Sequence, residues 1–245
     1  MAESKIQNYN HLKIHTQYSI CEGAIKIDEL KDFSKENKIR SLGLCDTSNL
    51  CGALEFAEKI AKSGTQPIIG TQINFKYNET VGLLPLYSLN EQGYKRIIEL
   101  SSLSYLKNDE LSEPHLDFET LLINTEGVAL FSGTINGLFG KLFDKGKFTE
   151  IENLYKNLKS KYEDRFYIEI QRHGDQKEIG FEKLNLTKSF KLEIPIIATN
   201  EVFYIDKSMH EAHDALICIK EKTYINEKNR IRFTKCYFSI TKLPT

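Results

Sequence analysis

Short apolar runs rich in β-branched and aromatic residues alternate along this chain with longer segments whose apolar positions recur at helical spacing. The runs at residues 11–15, 41–45, 67–75, 81–89, 128–131, 166–171 and 195–198 predict strands, and segments 27–38, 50–62, 91–104, 148–162, 177–191 and 207–219 predict helices. Segment 50–62 shows the reasoning. Leu50, Ala53, Leu54, Ala57, Ile60 and Ala61 form an apolar stripe, while Glu55 with Lys59 and Glu58 with Lys62 make i,i+4 pairs on the opposite side. Ser48 or Asn49 is placed to cap its start and Gly64 its end. Seven strands interleaved with helices predict an α/β fold whose parallel sheet closes, or nearly closes, into a barrel, with a doubly wound open sheet as the alternative.

Composition narrows the class. The 245 residues are 40% hydrophobic and 27% charged, enough for one large α/β domain or two small ones. Lys and Arg number 33 against 34 Asp and Glu, a formal net charge of −1 that argues against a free-standing, non-specific nucleic-acid binder. The start, Met1-Ala2-Glu3-Ser4-Lys5, has no apolar leader, and no run approaches the length of a membrane span, so a cytoplasmic location is expected. Cys21, Cys45, Cys51, Cys218 and Cys236 are irregularly spaced without a C-x-x-C pair, which predicts reduced, mostly packed thiols.

Candidate chemistry begins on the first predicted strand. Alternation places His11, Lys13 and His15 on one face and Leu12 and Ile14 on the other. Two histidines on one strand face are suited to a transition metal, but an ammonium between them is not: at 4 Å a divalent ion would repel it by about 8 kcal/mol. The lysine must swing away, lose its proton or replace the metal. In either barrel or open sheet, functional groups gather beyond the carboxyl ends of the strands. The polar residues there are His15 with Glu22, Asp46, Gln72, Ser132 with Thr134, Gln171 with His173, and Asn200 with Glu201. Such a rim could hold a hard-metal phosphoesterase site, an acid–base pair, or a polar network that caps helices.

The motifs His11-Leu12-Lys13-Ile14-His15-Thr16, Tyr18-Ser19, Glu22-Gly23, Asp46, Asn49-Leu50-Cys51-Gly52-Ala53-Leu54-Glu55-Phe56 and Gln66-Pro67-Ile68-Ile69-Gly70 resemble the polymerase and histidinol phosphatase (PHP) domain. The resemblance is closest to the form found in bacterial DNA polymerase III alpha subunits of proteobacterial type. It continues through Asn90-Glu91-Gln92-Gly93-Tyr94, Leu130-Phe131-Ser132-Gly133, Tyr167-Ile168-Glu169-Ile170-Gln171-Arg172-His173-Gly174, Ala198-Thr199-Asn200-Glu201 and Ala212-His213, in family order. It implies a distorted seven-stranded (β/α) barrel, here over residues 1–219, followed by a tail at 220–245 leading toward absent polymerase domains.

Departures from the family pattern carry equal weight. Where metal-competent members carry ligands, this chain has Lys13, Thr47, Gln72, Thr134 and Phe203, retaining His15, Asp46, Glu22 in place of the usual acid, and Glu201 as a longer acid. A polynuclear site needs several charge-matched ligands at once, so these losses imply a vestigial site with no metal and no catalytic residue. Lys13 is then expected in the former metal cavity as counter-charge to Glu22 and Glu201, with Asp46 as a third neighbour.

Other motifs weigh less. His210 and His213 stand three apart rather than the four of a zincin helix. The segment 220–235, with Lys220, Lys222, Lys228, Arg230, Arg232 and Lys235, is either a face toward DNA or the next domain, or a solvated linker. The resemblance implies a parent DNA-directed DNA polymerase acting in DNA replication, with Mg in its polymerase domain. No such domain is present, so the chain is expected to be a fragment and a catalytically inactive scaffold. The implied partners are the rest of the alpha subunit, the proofreading exonuclease subunit and, through the full-length polymerase, DNA, with no membrane. The alternatives are a free-standing metal-dependent phosphoesterase and a residual exonuclease using fewer metals.

Overall fold

The computed structural model describes residues 9–108, 112–230 and 240. The chain divides into two compact units, one formed by residues 1–69 and 200–245, the other by Gly70–Thr199.

In the first unit, β1 (Lys13–Ile14) is flanked by β2 (Ser41–Thr47) and β9 (Glu201–Val202), both parallel to it. The register sets Ile14 beside Leu44 and Val202, and Lys13 beside Glu201. Backbone bonds from Gly43 to the His11 carbonyl and from His15 to the Val202 carbonyl continue the pairing on either side, which accounts for the longer strand predicted at 11–15. Helices α1 (Ile27–Glu36) and α2 (Ala53–Lys62) pack on this sheet, with Ile14, Leu30, Leu42, Leu44, Phe56, Ile60 and Val202 in one apolar core.

Helix α2 starts three residues later than predicted and turns a different face inward. Ala53, Phe56 and Ile60 are buried, whereas Leu54 and Ala61, assigned to the stripe, are exposed. Phe56 offers more apolar surface than Leu54, and the helix rotates to bury it. Asn49 does not cap the helix: its carboxamide accepts from the Cys51 amide and donates to the carbonyls of Tyr18 and Thr47, while Gly64, at φ +84°, follows the last turn as expected. Helix α7 (His210–Lys220) completes the unit after a 3-10 turn at Lys207–Met209, where the sequence predicts one continuous helix.

In the second unit the sheet is mixed. β3 (Gln66–Tyr77), which begins in the first unit, returns through a two-residue turn into antiparallel β4 (Thr80–Ser88), and β4 is antiparallel to β6 (Val128–Phe131). Asn78 at φ +50° makes this turn, too short for the crossover that a parallel pair requires. A short β5 (Leu116–Asp117) pairs with β3, and β7 (Phe166–Ile170) and β8 (Ile196–Ala198) continue in parallel from β6. Helices α3 (Glu91–Leu106), α4 (Leu138–Asp144), α5 (Phe148–Tyr162) and α6 (Gln176–Leu192) belong to this unit. The expectation of an all-parallel sheet therefore fails at the β3–β4 hairpin, while the α/β class holds.

Candidate functional site

The parallel register of β1 and β9 places Lys13 and Glu201 side by side on the same sheet face, as paired positions on adjacent strands must be. The Lys13 ammonium, 1% exposed, lies 2.9 Å from Glu201 Oε1, whose side chain is 17% exposed. His15, directly after β1 and fully buried, has Nε2 3.9 Å from the same oxygen. Its ring stacks on Phe203 at 4.5 Å, and Phe203 stacks in turn near His213 at 5.4 Å. Burial, reinforced by the Lys13 charge, lowers the His15 pKa against the pull of Glu201, Glu22 and Asp46. The imidazole beside the ion pair is thus held neutral.

Asp46, at the carboxyl end of β2, is enclosed by donors: the Thr16 amide at 2.6 Å, the Thr16 hydroxyl at 2.8 Å and the Ser19 hydroxyl at 2.7 Å. Burial raises its pKa, and these hydrogen bonds work in the other direction. They also shape the loop between β1 and α1, where Glu22 and Gly23 fold back onto the Ser19 carbonyl. A side chain at Gly23 would place its Cβ 2.1 Å from the Thr16 carbonyl oxygen, so the loop needs glycine there.

Glu22 takes a partner that its sequence position does not announce. Its carboxylate accepts from the Thr47 hydroxyl at 2.6 Å and pairs with Lys220 at 2.5 Å, on the last turn of α7. His213 Nε2 lies 2.8 Å from the Glu22 carbonyl oxygen, and burial depresses the His213 pKa. His210 stands edge-on to Tyr204. The two histidines of α7 therefore act as packing and hydrogen-bonding groups. Arg230 forms a bidentate pair with Asp214 at 2.5 and 2.6 Å, so two cations of the basic segment are engaged within the unit. Arg232 and Lys235, like Cys236 and the first residues Met1–Lys5, lie outside the described residues.

Of the site residues read from the sequence, the structure brings together Lys13, His15, Glu22, Asp46, Thr47, Glu201 and Phe203 in the first unit. Gln72 and Thr134 belong to the second. Gln72 is buried opposite Pro85, and the Thr134 hydroxyl accepts from the Asn136 amide at 3.3 Å. The second unit also holds a polar network centred on buried Glu169. Its Oε1 accepts from Thr199 Oγ1 and from Gln171 Nε2, and its amide donates to Ser132 Oγ. The alternation of Glu169 and Gln171 on one strand face was the available signal for this network.

The donor set does not fit a polynuclear metal centre. Where the resemblance implies ligands there stand the Lys13 ammonium, Phe203 and Thr47, and Lys220 neutralises Glu22, one of the three acids nearby. Among the described residues no group of three or more His, Cys, Asp and Glu side chains is arranged to hold a metal ion.

The fold and strand-end site define an α/β protein built on a mixed sheet. An amidohydrolase of Chromobacterium violaceum, solved with bound sulfate and no metal, shares the fold with a TM-score of 0.53 at 11% identity, over 79% of this chain and 87% of its own. The PHP domain family matches residues 11–173, and the chain belongs to it. It is 34% identical to the DNA polymerase III subunit alpha of Caulobacter vibrioides over 96% of its length, 36% identical to that of Rickettsia conorii over 93%, and 31% identical to that of Borreliella burgdorferi over 94%. It spans about one-fifth of the length of these relatives, 20 to 21%. No helix among the described residues is long and apolar enough to cross a membrane.

Proposed function

We propose that this PHP domain is a catalytically silent scaffold of a bacterial replicative DNA polymerase alpha subunit, working in DNA replication in the cytoplasm. It supports the polymerase portion of the chain and docks the proofreading exonuclease subunit. DNA is contacted, and Mg bound, through the longer polymerase rather than through this domain. The Lys13–Glu201 ion pair at the strand position of a metal ligand is the observation that carries the reading. A fixed ammonium there offsets the carboxylate in the way a cation would, but it can neither polarise a phosphoester nor activate a water.

Two measurements on the purified chain test this: elemental analysis for Zn, Mn and Fe, and hydrolysis of a generic phosphoester with each metal supplied. Substoichiometric metal and no turnover are expected. Stoichiometric metal with turnover would replace this reading with a metal-dependent phosphoesterase.

A further inference from the structure

Helix α6 (Gln176–Leu192) buries polar side chains and leaves an apolar line exposed, and this marks an interaction surface. The residues it buries are Glu178, Phe181, Asn185 and Ser189, three of them polar. Each of these three is satisfied internally. Glu178 accepts from the His173 and Gly174 amides, Asn185 from the Tyr155 hydroxyl, and Ser189 donates to the Ile194 carbonyl. The outward side carries Lys177, Lys183, Thr187 and Lys191, and among them Ile179, Leu186 and Phe190, which are 65%, 44% and 90% exposed. Their spacing of seven and four residues sets them in one line along the helix. Beside this line runs a groove of about 580 Å³, with Ile179 and Leu186 in its wall and Arg172, Asp175, Glu182 and Lys183 around it. The Arg172–Glu182 pair, bonded at 2.7 and 3.0 Å, neutralises two of the four charges on that rim.

Apolar side chains aligned on an exposed helix, with polar groups inside, are the arrangement of a face that another element covers. Three side chains and a shallow groove fall well short of the roughly 800 Å² per partner that a stable free-standing complex needs. A segment joined to the same polypeptide does not need that area, since tethering supplies an effective concentration of about millimolar order. The relatives carry about four-fifths of their length beyond the region this chain matches, which provides such a segment. We propose that the outer face of α6 seats an apolar helical surface from the polymerase portion of its own polypeptide. This inference rests on the function proposed above and names the surface through which the scaffold is attached.

The test places a single reactive thiol on this face. Phe190→Cys is introduced into the 245-residue chain alone and into the polymerase chain that carries it, with Ile179→Cys as a second, independent position. Both are reacted with a maleimide and read by peptide mass mapping. Labelling at each position is expected to be at least 10-fold slower in the long chain, with no other subunit present. Equal rates in the two chains overturn the proposal. Protection that appears only when the exonuclease subunit is added, or only as the concentration of the short chain rises, also overturns it, assigning the face to a separate partner or to a second copy. Primer extension by the same long chain is measured in parallel. Its absence would sink the polymerase reading itself, whereas extension with full labelling would sink this surface alone.

Discussion

At Lys13, one charge decides the chemistry of its neighbourhood, and its identity was readable because an ammonium is the one common side chain a metal strand cannot accommodate. The prediction of a counter-charge holds for Glu201. Glu22 pairs with Lys220, 198 residues away along the chain, and Asp46 accepts hydrogen bonds from Thr16 and Ser19. Local pattern cannot announce a pairing at that separation, whereas the Lys13–Glu201 contact follows once β1 and β9 are neighbours. Breaking a buried pair leaves one charge uncompensated, so Lys13→Met is expected to cost about 3 kcal/mol in urea unfolding, and Glu201→Gln a comparable amount. The double substitution should cost less than the two together; strictly additive losses would show that the groups do not interact. His11 makes a separate prediction. Burial pushes its pKa from 6.5 down to about 4. Between those values the unfolded chain takes up a proton that the folded chain refuses, so stability falls as pH drops from 6.5 toward 4, by up to roughly 3 kcal/mol. His11→Gln should flatten that part of the stability profile, and an unchanged acid limb would show that other groups control it.

Among the elements, the most legible were the continuous apolar run of β6 at 128–131 and the long periodic α5 at 148–162, which form with the predicted bounds. The misses share a cause. The inward face of α2 is chosen by Phe56, whose advantage over Leu54 depends on what lies opposite it, and the direction of β4 is chosen by the backbone at Asn78. Neither is a property of periodicity. Helix α4 and strands β5 and β9, each short, have too few positions to show a repeat. Tertiary contact overrides local preference most sharply at Gly93, in the first turn of α3. Helix propensity alone would favour alanine there by about 1 kcal/mol. A Cβ at this position, however, would fall 1.8 Å from the Gly127 carbonyl oxygen, and the Gly93 amide is held at 2.9 Å by the capping carboxamide of Asn90. Backbone cannot yield as a flexible side chain can. Gly93→Ala is therefore expected to destabilise by more than about 2 kcal/mol, read as a lowered midpoint in thermal or urea unfolding. A stabilised variant would mean that the Gly127 loop relaxes freely.

For the molecule as a whole, the balance of charge sets how this domain can meet nucleic acid. DNA affinity at physiological salt comes largely from displacing counterions with Lys and Arg, and each cation already bonded to a carboxylate contributes little to that exchange. With 33 basic against 34 acidic residues, the chain has no net attraction for a phosphate backbone, so only a local patch could supply one. The basic segment from residue 220 onward is the strongest candidate in sequence, yet Lys220 is bonded to Glu22 and Arg230 is clamped by both oxygens of Asp214. These pairs fasten residues 220 and 230 to their own unit. The 245-residue chain is therefore expected to show no saturable binding to labelled duplex or single-stranded DNA below about 100 μM at 0.15 M salt, the weak end of non-specific association. Fluorescence anisotropy across a salt series checks this. Micromolar binding that weakens steeply with salt would place DNA on this domain directly, whereas its absence would leave any nucleic-acid contact to the longer polymerase proposed above.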